Sequence, residues 1–440
     1  MVADSASAGR VQPGGSAVCV VGLGYVGVPV ALAFDEAGFE VVGYDVDPEQ
    51  VETLAGGTDP TGESGDRAVA ASEVEFTADP LEIERAEYVV IAVPTAVDEL
   101  GRPDLDHVVS AGKMVGEHLS EGTTVVLEST VYPGVTRKIL GATIEEHSGL
   151  ELGDGFTLGH SPERLSPGKS GMGLSEAVKI VSGSDEETLA DLAALYETIV
   201  DAGVHQAPSI EVAEAAKLVE NVQRDLNIAF VNELAMLCER IGLNTDAVLD
   251  AAGTKWNFHE YSPGLVGGHC IPVDPLYLVH RAEQAGYRPE LVRAGRRTNE
   301  RLPRHVGDQT VKALNEQGKV LRESAVLVLG LAYKPNVGDV RHPGIETLIA
   351  RIQEFGVRVV GHDPLADDAE IRDSFEIEVQ PEFDPSGFDG IVLATPHDVF
   401  LPLNLEQLAD QLAPDPVLVD VYGTVDGPHS REIGFAYYTL

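Results

Sequence analysis

The chain has 440 residues, 43% of them hydrophobic, with 72 acidic side chains against 30 basic ones and a formal net charge of −42. That length leaves room for two or three domains with substantial cores, and regular apolar periodicity excludes the disorder that such charge otherwise signals. An acid excess spread along the whole chain, with only 9 of the bases Lys, excludes nucleic acid and anionic membranes as partners.

The same balance predicts a cytoplasmic protein of a high-salt organism. Its surface carboxylates would hold water and counterions while screening suppresses their repulsion. Three cysteines cannot make a disulfide framework. The longest apolar runs are strand-length, too short to span a bilayer, and no secretory signal appears, so a soluble intracellular protein is expected. No metal site is expected.

In chain order, residues 1–16 are small and polar and read as a tail. Val18-Cys-Val-Val-Gly22-Leu-Gly24-Tyr25-Val26-Gly27 then runs from an apolar strand through a Gly-x-Gly-x-x-Gly turn into an apolar helix. In a dinucleotide fold the first glycine makes the turn, the second admits the pyrophosphate and the third lets helix and strand pack closely. The helix start offers free amides to the phosphates. A second strand, Glu40–Asp45, ends in an acid placed for a ribose 2′-hydroxyl. Asp45 without an adjacent Arg favours NAD over NADP.

Further strands follow at Tyr88–Thr95 and Thr123–Thr130, before Gly159–Arg164, and at Lys179. Strands alternating with helices predict a mainly parallel sheet, closing a first domain over 17–207. From Glu211 to about Ile241 no Pro or Gly interrupts the helical spacing, so one long helix is expected, with shorter helices to about 253. A middle domain of 208–318 would carry this helix and the loop Gly264-Leu-Val-Gly-Gly-His-Cys270-Ile-Pro-Val-Asp274-Pro. From 319 to 440, strands at Ser324, Val357, Gly390 and Pro416 predict a second Rossmann-like domain. It has Gly330 but no full glycine triplet, which suits a nucleotide-sugar better than a dinucleotide. The predicted class is α/β: two doubly wound domains joined by a long helix and a helical middle.

Of the cysteines, Cys19 falls inside a strand and Cys238 on an apolar helix, so both read as core. Cys270 alone lies in a loop, with Asp274 four residues on. An isolated cysteine in a glycine turn is usually a buried thiol. The dinucleotide signature upstream reverses that reading, because an accessible thiolate is a nucleophile.

Eight motifs in order carry a resemblance over the whole chain beyond the tail. They are GLGYVG, VPT, ESTVYPG, SPERLSPG, AEAAKLVENVQRDLNIAFVNE, GTKWNF, PGLVGGHCIPVDP and GLAYKPNVGDVR. Together they resemble the UDP-glucose/GDP-mannose dehydrogenase family, which oxidises a sugar C6 alcohol to a carboxylate with two NAD through an aldehyde and a cysteine thioester. GGHCIPVDP and VENVQRDLN look like the N-acetylhexosamine branch, and the resemblance is nearest to UDP-N-acetylglucosamine (or N-acetylgalactosamine) 6-dehydrogenases. Val273 stands where UDP-glucose enzymes carry a lysine. UDP-N-acetylmannosamine enzymes share the GGHC core, and a UDP-N-acetylmannosamine or UDP-glucose 6-dehydrogenase is the alternative within the family.

The resemblance implies a site residue by residue. Cys270 would attack the aldehyde, and Lys217 and Asn221, on one helix face, would hold the oxyanion. Asp274, Glu163 and Thr130 would orient water or accept protons. Gly22, Gly24, Tyr25, Val26, Gly27, Asp45, Val93, Pro94, Thr95, Ser129, Thr130 and Arg341 would hold NAD. The UDP-sugar would meet Glu163, Arg164, Leu165, Lys217, Asn221, Tyr261, Gly264, Gly267 and Lys334. Lys255 would come from the second subunit of a homodimer. Trp256, the single tryptophan, reads as packing rather than ligand stacking.

Three positions depart from the family pattern: Ala96 replaces the proline after VPT, Ser166 an asparagine, and Gln50 an arginine found near the adenosine in some relatives. The alternatives are a two-electron dehydrogenase of the 3-hydroxyacid type, which needs no Cys270, and a non-catalytic NAD- or nucleotide-sugar-binding protein.

Overall fold

A computed structural model describes residues 11, 14–98, 100–164, 173–268 and 270–440. Most of the expected tail and Leu165 lie outside the described residues. The chain divides into two compact units. One is residues up to Glu220 with Leu276–Tyr287, and the other is Asn221–Pro275 with Arg288–Leu440.

The first unit is built on eight strands: β1 (Ala17–Val21), β2 (Glu40–Tyr44), β3 (Glu75–Thr77), β4 (Tyr88–Ile91), β5 (Thr124–Leu127), β6 (Thr157–His160), β7 (Lys179–Gly183) and β8 (Val204–Gln206). Their order is β8-β7-β6-β5-β4-β1-β2-β3. Every pair is parallel except β6 with β7. β4 (YVVI) and β5 (TVVL) are buried at every position. Such unbroken apolar runs belong to strands covered on both faces, which is where parallel sheets occur. A short hairpin, Ala96–Val97 with Pro103–Asp104, follows β4, and its Ala96 carbonyl accepts a bond from Tyr277 Oη at 2.7 Å.

The second unit repeats the plan with β9 (Ala325–Leu329), β10 (Arg358–His362), β11 (Glu378–Val379), β12 (Gly390–Leu393), β13 (Val417–Asp420) and β14 (Ala436–Thr439). These form one sheet in the order β11-β10-β9-β12-β13-β14, parallel throughout. Among the described residues no helix is long and apolar enough to cross a membrane.

The long helix runs Ile210–Ile241, 32 residues, about 48 Å at 1.5 Å per residue. It gives residues to both units. In the first, the buried Glu214 carboxylate accepts from the amides of Gly134 at 2.5 Å and Thr136 at 2.8 Å. These bonds fix the turn after β5. In the second, the helix faces Glu290–Glu316 through a buried polar network. Arg296 Nη1 meets Asp225 Oδ1 at 2.5 Å, and Asn299 Nδ2 donates to the carbonyl and carboxylate of Asp225 at 2.9 and 2.7 Å. Cys19 and Cys238 are buried, as their positions in strand and helix imply.

Burial pushes the Glu214 carboxyl up to about 7, against the pull of its amide bonds. Between the ordinary glutamate range and that value, the folded chain keeps a proton that the unfolded chain has released. Glu214's contribution to stability is therefore greatest at low pH and declines as pH rises to about 7. Glu214→Ala also strands two buried amides, each costing about 1–3 kcal/mol. Thermal melts should show the variant below the wild type at pH 5, with the gap narrowing by pH 8. A gap that widens with pH contradicts this account.

Candidate active site

In the first unit the glycine turn after β1 is dictated sterically. Gly22 sits at φ +94°, and a Cβ there would lie 2.9 Å from the Ala92 carbonyl oxygen. A Cβ on Gly27 would lie 1.7 Å from Gly22 O, whereas Gly24 has nothing within 4 Å. The turn is therefore closed on its protein side and open at Gly24, the glycine that must admit a pyrophosphate. Asp45 Oδ2 accepts from Leu23 N at 2.7 Å and Oδ1 from Asp47 N at 3.0 Å, so this acid shapes the turn while staying partly exposed. Gln50 Nε2 donates to Leu23 O at 2.7 Å, bracing the same turn.

Tyr25 is exposed and Val26 half-buried. Ser129 Oγ donates to Val93 O at 2.7 Å, tying the ends of β5 and β4 together beside Pro94 and Thr95. Thr130 is half-buried next to Ser129. An open glycine over a helix start, with a carboxylate at the end of β2, fits NAD.

Lys217 is 8% exposed, so it is no ordinary surface lysine. Glu163, also buried, lies just beyond β6, and its Oε1 accepts from Arg164 N at 2.6 Å. Arg164 turns its guanidinium to Glu220 at 2.7 Å. Behind Glu163 sits a polar cluster the sequence reading passed over. Lys179 Nζ is 2.9 Å from Glu128 Oε2 and 3.6 Å from Glu163 Oε2, and Tyr196 Oη donates to Glu128 Oε1 at 2.5 Å.

Burial pushes the Glu128 carboxyl up. Burial alone would depress the Lys179 ammonium, but its two carboxylate neighbours outweigh that and lift it. Desolvation drives His160 down to about 3, with the Lys179 charge adding to it, so this ring is neutral.

In the second unit Cys270 is exposed. Its carbonyl accepts from Val273 N at 3.2 Å and Asp274 N at 2.9 Å, which places the thiol one turn ahead of the helix Asp274–Gln284. Asp274 is buried, and Asn221 Nδ2 donates to its Oδ2 at 2.6 Å. These two expected residues are thus brought together.

The loop before Cys270 is clamped by its backbone. Asn232 Oδ1 accepts from Gly264 N at 2.8 Å and its Nδ2 donates to Gly264 O at 3.1 Å. A Cβ on Gly264 would lie 2.4 Å from Tyr422, and one on Gly267 would lie 2.7 Å from the His342 ring. Gly268, at φ +77°, donates to Arg341 O at 3.1 Å. Burial brings His342 down to about 4, leaving its ring neutral beside the loop.

Lys334 packs its ammonium over Tyr333, 5.4 Å from the ring centroid. Arg341 forms a bidentate pair with Asp339, Nε to Oδ1 at 2.8 Å. Tyr261 is half-buried and Lys255 exposed. Trp256 corrects an expectation: it is 88% exposed and does not pack within the chain. The reading missed this because Trp256 follows the helix Thr245–Gly253 in the exposed turn Thr254–Asn257, where a ring has no core to enter.

Sequence reasoning missed Glu128, Lys179 and Tyr196, and equally Asp225, Asn232, Asn299 and His342. A lysine opening an otherwise apolar strand was the one available signal for Lys179. Among the described residues no cluster of His, Cys or carboxylates is arranged to hold a metal ion.

Three sequence models of one family match the chain in order. The NAD binding domain of the UDP-glucose/GDP-mannose dehydrogenase family matches residues 16–200, its central domain 211–301 and its UDP binding domain 327–427. A UDP-N-acetyl-D-glucosamine 6-dehydrogenase of Pseudomonas aeruginosa is 41% identical over 93% of this chain and 97% of its own. The Salmonella typhi enzyme of the same name is 39% identical over 89% and 92%. Among solved structures, a UDP-D-ManNAc dehydrogenase from Pyrococcus horikoshii superposes with a TM-score of 0.86 at 29% identity, covering 96% of this chain and 99% of that one. With both nucleotide folds, the open glycine turn and the whole-length match, the chain belongs to the UDP-glucose/GDP-mannose dehydrogenase family of NAD-dependent nucleotide-sugar oxidoreductases.

Proposed function

We propose that this chain oxidises the C6 alcohol of a UDP-N-acetylhexosamine, UDP-N-acetylglucosamine in the first place, to the uronate through a thioester on Cys270. The product would serve as a precursor for surface polysaccharide. The observation that carries the reading is the exposed thiol of Cys270 at the end of a backbone-clamped loop, one turn from the Asn221–Asp274 pair. The 41% identity to a UDP-N-acetyl-D-glucosamine 6-dehydrogenase supports the choice of sugar. A UDP-N-acetylmannosamine substrate is the second reading, supported by the 0.86 TM-score to a UDP-D-ManNAc dehydrogenase.

NAD, when bound at the Gly22–Gly27 turn with Asp45, supplies the hydride acceptor for both oxidations. The chain's own groups do the rest. The sulfur of Cys270 bonds to the aldehyde carbon, while Lys217 and Asn221 donate to the oxygen that gains charge. Loss of the C6 hydride from this thiohemiacetal leaves the thioester. Water then forms the new C–O bond, giving one proton to Glu163, and the C–S bond breaks with its electron pair returning to Cys270. Asp274, held by Asn221, and Thr130 orient the reacting oxygens. Arg164, Tyr261, Gly264, Gly267 and Lys334 contact the UDP-sugar, and Arg341 the cofactor; Leu165 is assigned to the substrate by the motif alone.

The dimer is part of the same reading. Phe230, Leu237 and Ile241 are 59%, 49% and 58% exposed on the long helix, at spacings of seven and four that share one face. In such a dimer Lys255, exposed in this chain, would be the residue lent to the partner's sugar, as the family motif implies.

A panel of UDP-glucose, UDP-N-acetylglucosamine, UDP-N-acetylgalactosamine, UDP-N-acetylmannosamine and GDP-mannose should give fastest turnover with UDP-N-acetylglucosamine. Two NADH should form per sugar; one NADH rejects the cysteine route. Cys270→Ser should lose nearly all uronate formation, and wild-type output from it removes the covalent step. Light scattering should find a dimer that Phe230→Asp converts to monomer; a wild type already monomeric overturns the assembly. Melting temperature should rise with KCl up to molar concentration, and a steady fall contradicts the high-salt assignment.

A further inference from the structure

The buried cluster behind Glu163 is larger than a structural staple needs. One ammonium and one carboxylate already balance each other's charge in a core, though each needs further hydrogen bonds. Here Lys179, 2% exposed at its side chain, faces two carboxylates, Glu128 at 2.9 Å and Glu163 at 3.6 Å. The four groups come from distant parts of the chain: the end of β5, the segment after β6, the start of β7, and the helix Glu186–Glu197, which carries Tyr196. Tyr196 Oη and Lys179 Nζ both donate to Glu128, one to each oxygen, so Glu128 is a fixed acceptor and Lys179 is pinned by it. Glu163 Oε1 is taken by Arg164 N at 2.6 Å, which leaves Oε2 toward the ammonium.

We propose that Lys179 is a positioning residue for the hydrolytic half of the reaction. It is held by Glu128 so that its ammonium, 3.6 Å from Glu163 Oε2, keeps that carboxylate turned to receive a proton from water. The inference rests on the assignment of Glu163 as the proton acceptor in thioester hydrolysis. Lys179 itself transfers nothing: the proton moves from water to Glu163, the C–O bond forms, and the C–S bond breaks toward sulfur.

The charges facing Glu163 can be set out one element at a time. β5 brings Glu128 and β7 brings Lys179. β6 brings His160, neutral by burial, and the helix Glu186–Glu197 brings Tyr196, whose hydroxyl is held far above its ordinary range by desolvation and Glu128. Arg164 spends its charge on Glu220, at 2.7 Å on the long helix. Among these groups Lys179 and Glu128 carry opposite charges, so removing each must act on Glu163 with opposite sign.

Single-turnover kinetics with NAD and UDP-N-acetylglucosamine separate the two halves: the NADH burst reports oxidation, and uronate release reports hydrolysis. In the wild type, hydrolysis should rise with pH along an acidic limb. Glu128→Gln should move that limb down by about one pH unit and Lys179→Met up by about one. On the low-pH side Lys179→Met then hydrolyses about tenfold more slowly, while Lys179→Arg restores the wild-type limb.

Limbs that move the same way in the Gln and Met variants, or a loss shared equally by burst and hydrolysis with no movement, overturn the proposal. If Lys179→Met fails to fold by circular dichroism, the direction of the Glu128→Gln shift decides alone, and an upward or absent shift is the overturning result. Glu163→Gln keeps the two readings apart. Wild-type hydrolysis from it removes the assignment of Glu163. A trapped thioester on Cys270 by intact mass, with unmoved limbs in the Lys179 and Glu128 variants, removes only the role of Lys179.

Discussion

The cysteine loop is held in place by a carboxamide reading a glycine backbone. Asn232 takes both hydrogen-bonding groups of Gly264, and its own Nδ2 also meets Asn299 Oδ1 at 2.9 Å. Asn299 is in turn fixed by Asp225, and Asp225 by Arg296. Each link is buried and bonded to the next, so the loop cannot shift without breaking buried hydrogen bonds, at about 1–3 kcal/mol for each group stranded. Ion pairs of this kind add little net stability over an apolar core; what this one supplies is a single geometry. The glycines complete the arrangement, because Tyr422 and His342 occupy the space that side chains at 264 and 267 would need. A nucleophile, the role proposed for Cys270, tolerates little positional error, and here the backbone before the cysteine is fixed from several sides.

The two nucleotide folds use the same local device and then diverge. In the first, Asp45 at the end of β2 accepts from Leu23 N in the turn after β1. In the second, Asp363 just after β10 accepts from Leu331 N at 2.7 Å and Ala332 N at 3.2 Å in the turn after β9. Asp45 remains partly exposed, available to a ribose hydroxyl. Asp363 is fully enclosed, with His397 Nε2 at 3.0 Å. The tautomer of His397 follows from its other nitrogen: Nδ1 accepts from Asn336 N at 2.8 Å, so the proton lies on Nε2 and points at Asp363. That acid is committed to shaping the loop ahead of Lys334 and has nothing left to offer a ribose. Gly330, whose Cβ would lie 2.0 Å from Thr395 O, supplies the turn without the rest of the triplet.

What the sequence disclosed and what it hid follow from one distinction. Features set by neighbouring residues were legible: the Gly22–Gly27 turn, the uninterrupted helix Ile210–Ile241, the apolar strands and the lone loop cysteine all announce themselves within a short window. Features set by contacts across the fold were not. Glu128 and Lys179 are 51 residues apart, and nothing near either residue marks it as paired. Asn232 and Asn299 look like ordinary polar positions on two helices. Trp256 shows the reverse error, since a large aromatic ring invites a core assignment that only its surroundings can refuse. Even the Asn221–Asp274 contact needed the fold, because helix spacing could relate Asn221 to Lys217 but not to a loop acid far along the chain.

The acid-rich composition and the site chemistry meet in the lysines. Of nine in the chain, Lys179 and Lys217 are almost wholly buried in the first unit. A surface dominated by carboxylates leaves exposed ion pairs weak and readily screened, with a Debye length of about 3 Å at 1 M salt. Buried pairs are shielded from that screening. Charges that must act at a fixed place are therefore best kept inside: Lys179 between Glu128 and Glu163, Arg296 on Asp225, Lys217 within its helix face. The surface can then carry almost any excess of acid without disturbing them. The same economy explains why a chain so poor in lysine still has a buried ammonium next to the carboxylate on which the release of product is proposed to depend.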